Sequence, residues 1–225
     1  MDALHRTLAE KLHDELSDRL EKTLSDSLVH RVFQARQVRD LAGVADIYEK
    51  LSVEGLAGEI AVATHVRIMQ TWIPFLYEIV PSISMAINNQ KRVDILLLNP
   101  DSDLAARRSK AMGYPNPEQV RKFILGNIDD LKYTVIDDPN VDHRSLEVRL
   151  YDTLPITCIY QLDDRIIFSL FLEKQRAHQI PHFVIAQRNT WLYTALRAHM
   201  DAVWSEAFQY DFDQASLGLD DNVTR

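Results

Sequence analysis

Residues 151–168 read YDTLPITCIYQLDDRIIF, and the one nucleophile among them is the thiol of Cys158. A thiol attacks only as a thiolate, which a neighbouring base or cation must stabilise. Nothing in the segment fixes a base beside Cys158. Two runs rich in β-branched and apolar residues, Ile156–Leu162 and Arg165–Leu172, flank the pair Asp163-Asp164. Alternation and turn chemistry predict a hairpin there, with Cys158 inside a buried strand, where apolar surroundings raise a thiol's pKa and leave it inert.

The chain has eight histidines. His5, His13 and His30 fall in an amino-terminal helical stretch, His65 begins a strand, and His199 lies on the last helix as a structural residue. His143 belongs to the acidic loop DDPNVDH with Asp137, Asp138 and Asp142. Such a loop could hold a divalent cation, but its ordinary state is solvation, and no metal is expected. His178 and His182 have the spacing of helical metal ligands, yet Pro181 stands between them.

The elements that would position these groups alternate in type. VADIY (44–48) reads as a strand, SVEGLAGEI as a helix and THVRIMQTW (64–72) as a strand. Pro74 opens a helix reaching about residue 89, with Pro81 as a kink. VDILLL (93–98), Asp94 apart, reads as a short apolar run, as expected for a strand buried on both faces. NPDS (99–102) caps a helix ending near Gly113, and Asn116-Pro117 opens another reaching about residue 136. LEVRLY (146–151), the hairpin, a strand near 182–186 and a helix over 190–207 complete the unit. This alternation predicts an α/β fold with a mixed, mainly parallel sheet flanked by helices and an antiparallel edge.

In open α/β sheets ligands bind at the carboxyl ends of the strands. Those ends supply Thr71 and Trp72, then Asn99, Asp101 and Ser102, then Tyr151, Asp152 and Thr153. With Arg107 on the following helix they are the candidate ligand-binding residues, a polar rim beside a helix N-terminus whose free N–H groups favour anions. Asp101 and Ser102 are also ordinary capping residues, and Trp72 is an ordinary core residue.

The first 42 residues form a separate helical arm. Leu4, Leu8, Leu12, Leu16, Leu20, Leu24 and Leu28 recur every four residues. Each step of four drifts about 40° around a helix, so the row is no heptad seam and a long coiled coil is disfavoured. The row is the candidate surface for oligomerisation or partner binding. The expected organisation is therefore the arm at 1–42, the α/β domain at 43–207 and an acidic tail at 208–225.

Composition sets the outer bounds. The 225 residues are 46% hydrophobic with a net charge of −8, so bulk electrostatics argue against a nucleic-acid binder. A single cysteine excludes an internal disulfide, and the charged, periodic amino terminus is no signal peptide. The longest apolar stretch, IPFLYEIVPSISMAI, holds Glu78 and two prolines and falls short of the roughly 20 residues that span a bilayer. A cytoplasmic protein without a membrane segment is expected.

The order VRIMQTW, helix, VDILLLNPDS, long excursion, LEVRLYD, then a hairpin around two acids resembles a phospholipase D half-domain over residues 44–207. The closing LRAHMDAVWSEA resembles the last helix of phospholipase D-like regulatory domains found in bacterial regulators and defence proteins. The resemblance implies that fold and a tendency to pair as a homodimer. The family's motif is a His, a Lys two residues later and an Asp five after that: the His attacks phosphorus and the Lys neutralises phosphate charge. With Asp163 as the acid, the other positions fall on Ile156 and Cys158; with Asp164, on Thr157 and Ile159. Neither register has a nucleophile with a cation, so catalysis by this route should be lost.

Three functions follow. The favoured one is a non-catalytic module, without cofactor, that senses a small phosphorylated or nucleotide-like ligand or a protein partner and signals through its arm. The others are a metal-dependent phosphodiesterase or nuclease using the acidic loop, and a structural subunit of a complex.

Overall fold

The structure, a computed structural model, describes residues 41–175, 179–186 and 188–213. The chain divides between Ala42 and Gly43 into two units, and the second carries all the elements that follow. The seven leucines proposed for partner binding, with His5, His13, His30 and His178, lie outside the described residues.

The strands are β1 (Val44–Tyr48), β2 (His65–Gln70), β3 (Arg92–Leu98), β4 (Leu146–Tyr151), β5 (Thr157–Leu162), β6 (Arg165–Leu170), β7 (His182–Ile185) and β8 (Phe208–Gln209). The helices are α1 (Val53–Val62), α2 (Leu76–Asn88), α3 (Asp103–Ala111), α4 (Gln119–Leu131) and α5 (Trp191–Glu206). A π-helical turn, Lys132–Ile136, extends α4. One eight-stranded sheet has the order β1-β7-β6-β5-β2-β3-β4-β8. It is the expected mixed α/β sheet, but less parallel: β2, β3 and β4 run parallel and every other pairing is antiparallel. Helices α2, α3 and α4 supply the crossovers that parallel neighbours need, whereas a two-residue turn returns β6 antiparallel to β5.

Strand β3 is buried from Val93 to Leu98, apolar throughout that run except for Asp94. Ser52 and Ser102 cap α1 and α3 by accepting from the N–H groups of Gly55 and Leu104. Helix α2 continues through the exposed Pro81 and buries Ile79, Ile83 and Ile87 on one side. Gly43, with φ of 73°, passes so close to Thr190 that a Cβ would stand 2.5 Å from its hydroxyl oxygen. The segment expected to begin an acidic tail instead closes the sheet edge. Phe208 pairs with Leu150, Gln209 pairs with Arg149, and the Tyr210 N–H donates to the Val148 carbonyl at 2.9 Å. Two-residue strands carry too little periodicity to be read from sequence.

On one face, a row of charged side chains crosses β2, β3 and β4 beneath α5. Asp94, 2% exposed, accepts from Arg92 Nε at 2.8 Å and lies 2.9 Å from His65 Nε2. Arg67 donates to Asp201 of α5 at 2.6 Å, and the Arg149 guanidinium lies 4.5 Å over the Trp204 ring. These contacts dock the last helix onto the sheet. Among the described residues, no helix is long and apolar enough to cross a membrane.

Candidate functional site

The carboxyl ends of β2, β3 and β4 lie side by side because the three strands are parallel and in register. Backbone bonds continue the alignment beyond the strands, from Leu98 N–H to the Thr71 carbonyl and from Asn99 N–H to the Tyr151 carbonyl. The candidates from these ends therefore do converge, but on different tasks.

Asn99 accepts from the Asp101 N–H at 3.0 Å, which makes the turn into α3. Ser102 caps α3 and donates to Asp152. Asp101 is ion-paired with Arg121 at 3.0 Å. The shallow cavity at the α3 N-terminus is lined by Asp101, Asp103 and Glu118 together with Arg121. Three carboxylates against one guanidinium disfavour an anion there, so the helix N-terminus expected to attract one is already dressed with negative charge. Thr153 is half-buried. Trp72 is 8% exposed and stacks on Phe123 with centroids 5.4 Å apart, an aromatic wall more than an open platform.

Arg107 is exposed on the outside of α3, and its neighbour Arg108 is the residue that turns inward. Arg108 is 7% exposed, its Cζ lies 4.4 Å over the Phe171 ring, and its Nε is buried without a hydrogen-bond partner. No carboxylate among the described residues forms an ion pair with it. Burial draws its pKa below the usual guanidinium value, and the nearby Tyr151, Cys158 and Tyr114 oppose that. Buried charges are ordinarily paired. Helical spacing could have revealed it: Ala105, Arg108, Ser109 and Met112 repeat at three and four residues and form the buried face of the helix.

Tyr151 and Thr71 complete the cluster. Tyr151 is 3% exposed, and burial pushes its phenol well above the ordinary value. Thr71 lies close enough to draw that pKa partly back, yet neither hydroxyl completes a hydrogen bond of ordinary geometry. Two neutral hydroxyls and one unpaired guanidinium thus lie buried at the strand ends.

The thiol of Cys158 is fully buried, and desolvation pushes its pKa up to about 12. One expectation is overturned here: a base does stand beside it, since β7 brings His182 Nε2 to 3.8 Å from Sγ while Nδ1 lies 2.9 Å from the Ile180 carbonyl. Antiparallel pairing of β5, β6 and β7 creates this contact across 24 residues, which no local spacing encodes. The thiol nevertheless stays protonated. Ile156, 52% exposed, precedes β5 and brings no reactive group.

Asp163 takes up the left-handed φ of 52° at the hairpin turn. Its carboxylate accepts from the Thr64 and His65 N–H groups at 3.0 and 2.9 Å and from Thr64 Oγ1. Partial burial raises its pKa, but these bonds outweigh burial and hold it below the usual carboxylate range. It ties the hairpin to the start of β2.

In the acidic loop, Asp142 receives Arg144 Nε at 2.7 Å, and that bond draws its pKa down to about 2. Asp138 accepts from Asn140, and Asp137 pairs with Lys132 at 3.7 Å. His143 is exposed. Among the described residues no three His, Cys, Asp or Glu side chains are grouped to hold a metal.

No family model matches the chain, and no curated protein does. Solved structures with a similar layout include TrmBL2, an archaeal chromatin protein described as showing a novel mode of DNA binding. It is 12% identical with a TM-score of 0.43, over 89% of this chain and 67% of that one. Two others are the phospholipase D family member Nuc from Salmonella typhimurium and NucT from Helicobacter pylori. Nuc is 14% identical with a TM-score of 0.45, over 73% of this chain and 97% of its own. NucT is 12% identical with a TM-score of 0.43, over 73% of this chain and 98% of its own. With TM-scores below 0.5, these likenesses by themselves decide nothing about the chemistry of this chain.

Proposed function

We propose that this chain is a catalytically silent, phospholipase D-like module of the cytoplasm that binds a small oxyanion-bearing ligand at its strand ends. The observation that carries the reading is Arg108, buried with no carboxylate partner among the described residues and set near the buried Tyr151 and Thr71 hydroxyls, for which no hydrogen-bond partner is found. A guanidinium fork with protonated hydroxyl donors suits a phosphate or carboxylate, and ligand binding removes the cost of an unpaired buried charge. Ile156 and Cys158, at the positions the family's nucleophile and cation would take, supply neither, and the Cys158 thiol stays neutral. In this reading the leucine row of residues 1–42 pairs two copies and passes the bound state to a partner.

The test is a titration of the full chain with inorganic phosphate, followed by calorimetry, beside Arg108→Met and a phosphodiesterase assay on bis(p-nitrophenyl) phosphate. Binding by the wild type, none by the variant and no turnover by either is the expected result. Turnover by the wild type, or equal binding by both, overturns the reading. For the arm, removal of residues 1–41 should convert a dimer to a monomer in light scattering; an unchanged mass refutes that part.

A further inference from the structure

A cavity of about 280 Å³ opens between the segment after β2 and one face of α4. Its walls include Trp72, Tyr114, Phe123 and Gly126, with Lys122 and Asp130 among its polar groups. We propose that it takes the base of a nucleotide whose phosphate is held at Arg108. The proposal rests on the reading of Arg108 as an anion site and extends it to the class of ligand.

Continuity is the first argument. Tyr114 lines the cavity and is also one of the groups that acts electrostatically on Arg108. Its N–H is fixed to the Ser109 carbonyl at 3.0 Å, at the end of the same helix that carries Arg108. Trp72 lines the cavity, while its neighbour Thr71 faces Tyr151 in the anion cluster.

The walls argue for a planar ring. Phe123 stacks on Trp72 and meets Tyr114 edge-on with centroids 5.8 Å apart, so three aromatic rings bound one space. Asn127, the polar residue deeper in the wall, is consumed: its amide accepts from the Ile73 N–H at 2.6 Å and donates to the Ile73 carbonyl at 3.0 Å. Lys122 and Asp130 remain at the exposed edge, one donor and one acceptor, the pair that the edge of a nucleobase can meet. A sugar would bring several hydroxyls against walls with few partners for them. At about 280 Å³ the space lies just below the roughly 300–1,000 Å³ of small-molecule sites, enough for one ring system and too little for a whole nucleotide. Bases stack on aromatic side chains with little regard to sequence.

Gly126 supplies the test. It lines the cavity, and a Cβ placed on it meets nothing within 4 Å. Gly126→Leu therefore starts its side chain in open space on the cavity wall, away from Arg108, and it replaces glycine in a helix by a better helix former. The full chain is titrated with adenosine 5′-monophosphate, cytidine 5′-monophosphate, ribose 5-phosphate and inorganic phosphate. The nucleotides should bind about tenfold or more tightly than ribose 5-phosphate, and Gly126→Leu should erase that margin while leaving inorganic phosphate unchanged. If ribose 5-phosphate binds as tightly as the nucleotides, or Gly126→Leu leaves the margin intact, the base site is refuted and the anion site stands. If no phosphate-bearing probe binds, the anion site fails and the base site with it.

Discussion

Arg108→Met should make the empty protein more stable and the phosphate-loaded protein relatively less so. The guanidinium is 7% exposed with an unpartnered Nε, and leaving a charged donor buried and unsatisfied costs about 1–3 kcal/mol or more. Stacking on Phe171 at 4.4 Å returns about 0.5–2 kcal/mol of this. Methionine keeps the length of the stem and replaces the stacking with a sulfur–aromatic contact worth about 0.3–1.5 kcal/mol, so that return largely survives. What the substitution removes is the uncompensated charge, and the variant should gain about 1–2 kcal/mol without anion. Phosphate reverses the order: at 100 times its Kd it adds about 2.7 kcal/mol to the wild type and nothing specific to the variant. Urea unfolding of both proteins, with and without phosphate, measures the two differences. The general stabilisation that phosphate gives any protein cancels between them. A variant destabilised by about 2 kcal/mol or more without anion, or one that gains from phosphate as much as the wild type, would refute the idea that this charge is kept unpaired for a ligand.

Asn127→Ala should cost about 3 kcal/mol in urea unfolding, because both bonds to Ile73 are lost and two buried backbone groups are left unsatisfied; a loss under about 1 kcal/mol contradicts that role. Cys158, with its pKa pushed up to about 12, should resist iodoacetamide at pH 8 in the folded protein and react readily in urea; labelling of the native chain at the rate of a free thiol would show that the site opens. Asp163 has its folded pKa lowered, so its contribution is present above the unfolded value of about 3.9 and is lost as pH falls through the folded value. Asp163→Ala should therefore lower stability at pH 7 and flatten the loss seen by circular dichroism below about pH 4; parallel acid profiles for the two proteins count against it.

Much of the fold was legible because it is local. The apolar run of β3, broken only by Asp94, the serine cap of α3 and the two-residue turn at Asp163-Asp164 all announce themselves within a few residues. Pairing direction was not: equally apolar strands read alike whether they run parallel or antiparallel, so the sheet turned out less parallel than the alternation suggested. The site was half legible. The strand ends gave Thr71 and Tyr151, but the basic pair after them gave Arg107, whereas helical phase turns Arg108 inward.

By itself the sequence determined which residue types are present and which are missing: no nucleophile with a cation around Asp163, one cysteine, and an acidic balance of charge. Those statements need no coordinates, since they are counts and spacings along the chain. Tertiary structure alone decided who stands next to whom. It set His182 beside Cys158, Phe171 under Arg108, and Glu118 and Arg121 beside the helix end that seemed ready for an anion. Each of these neighbours is brought in by strand pairing or helix packing from beyond the local sequence, and burial is what gives an arginine with no carboxylate partner among the described residues its meaning.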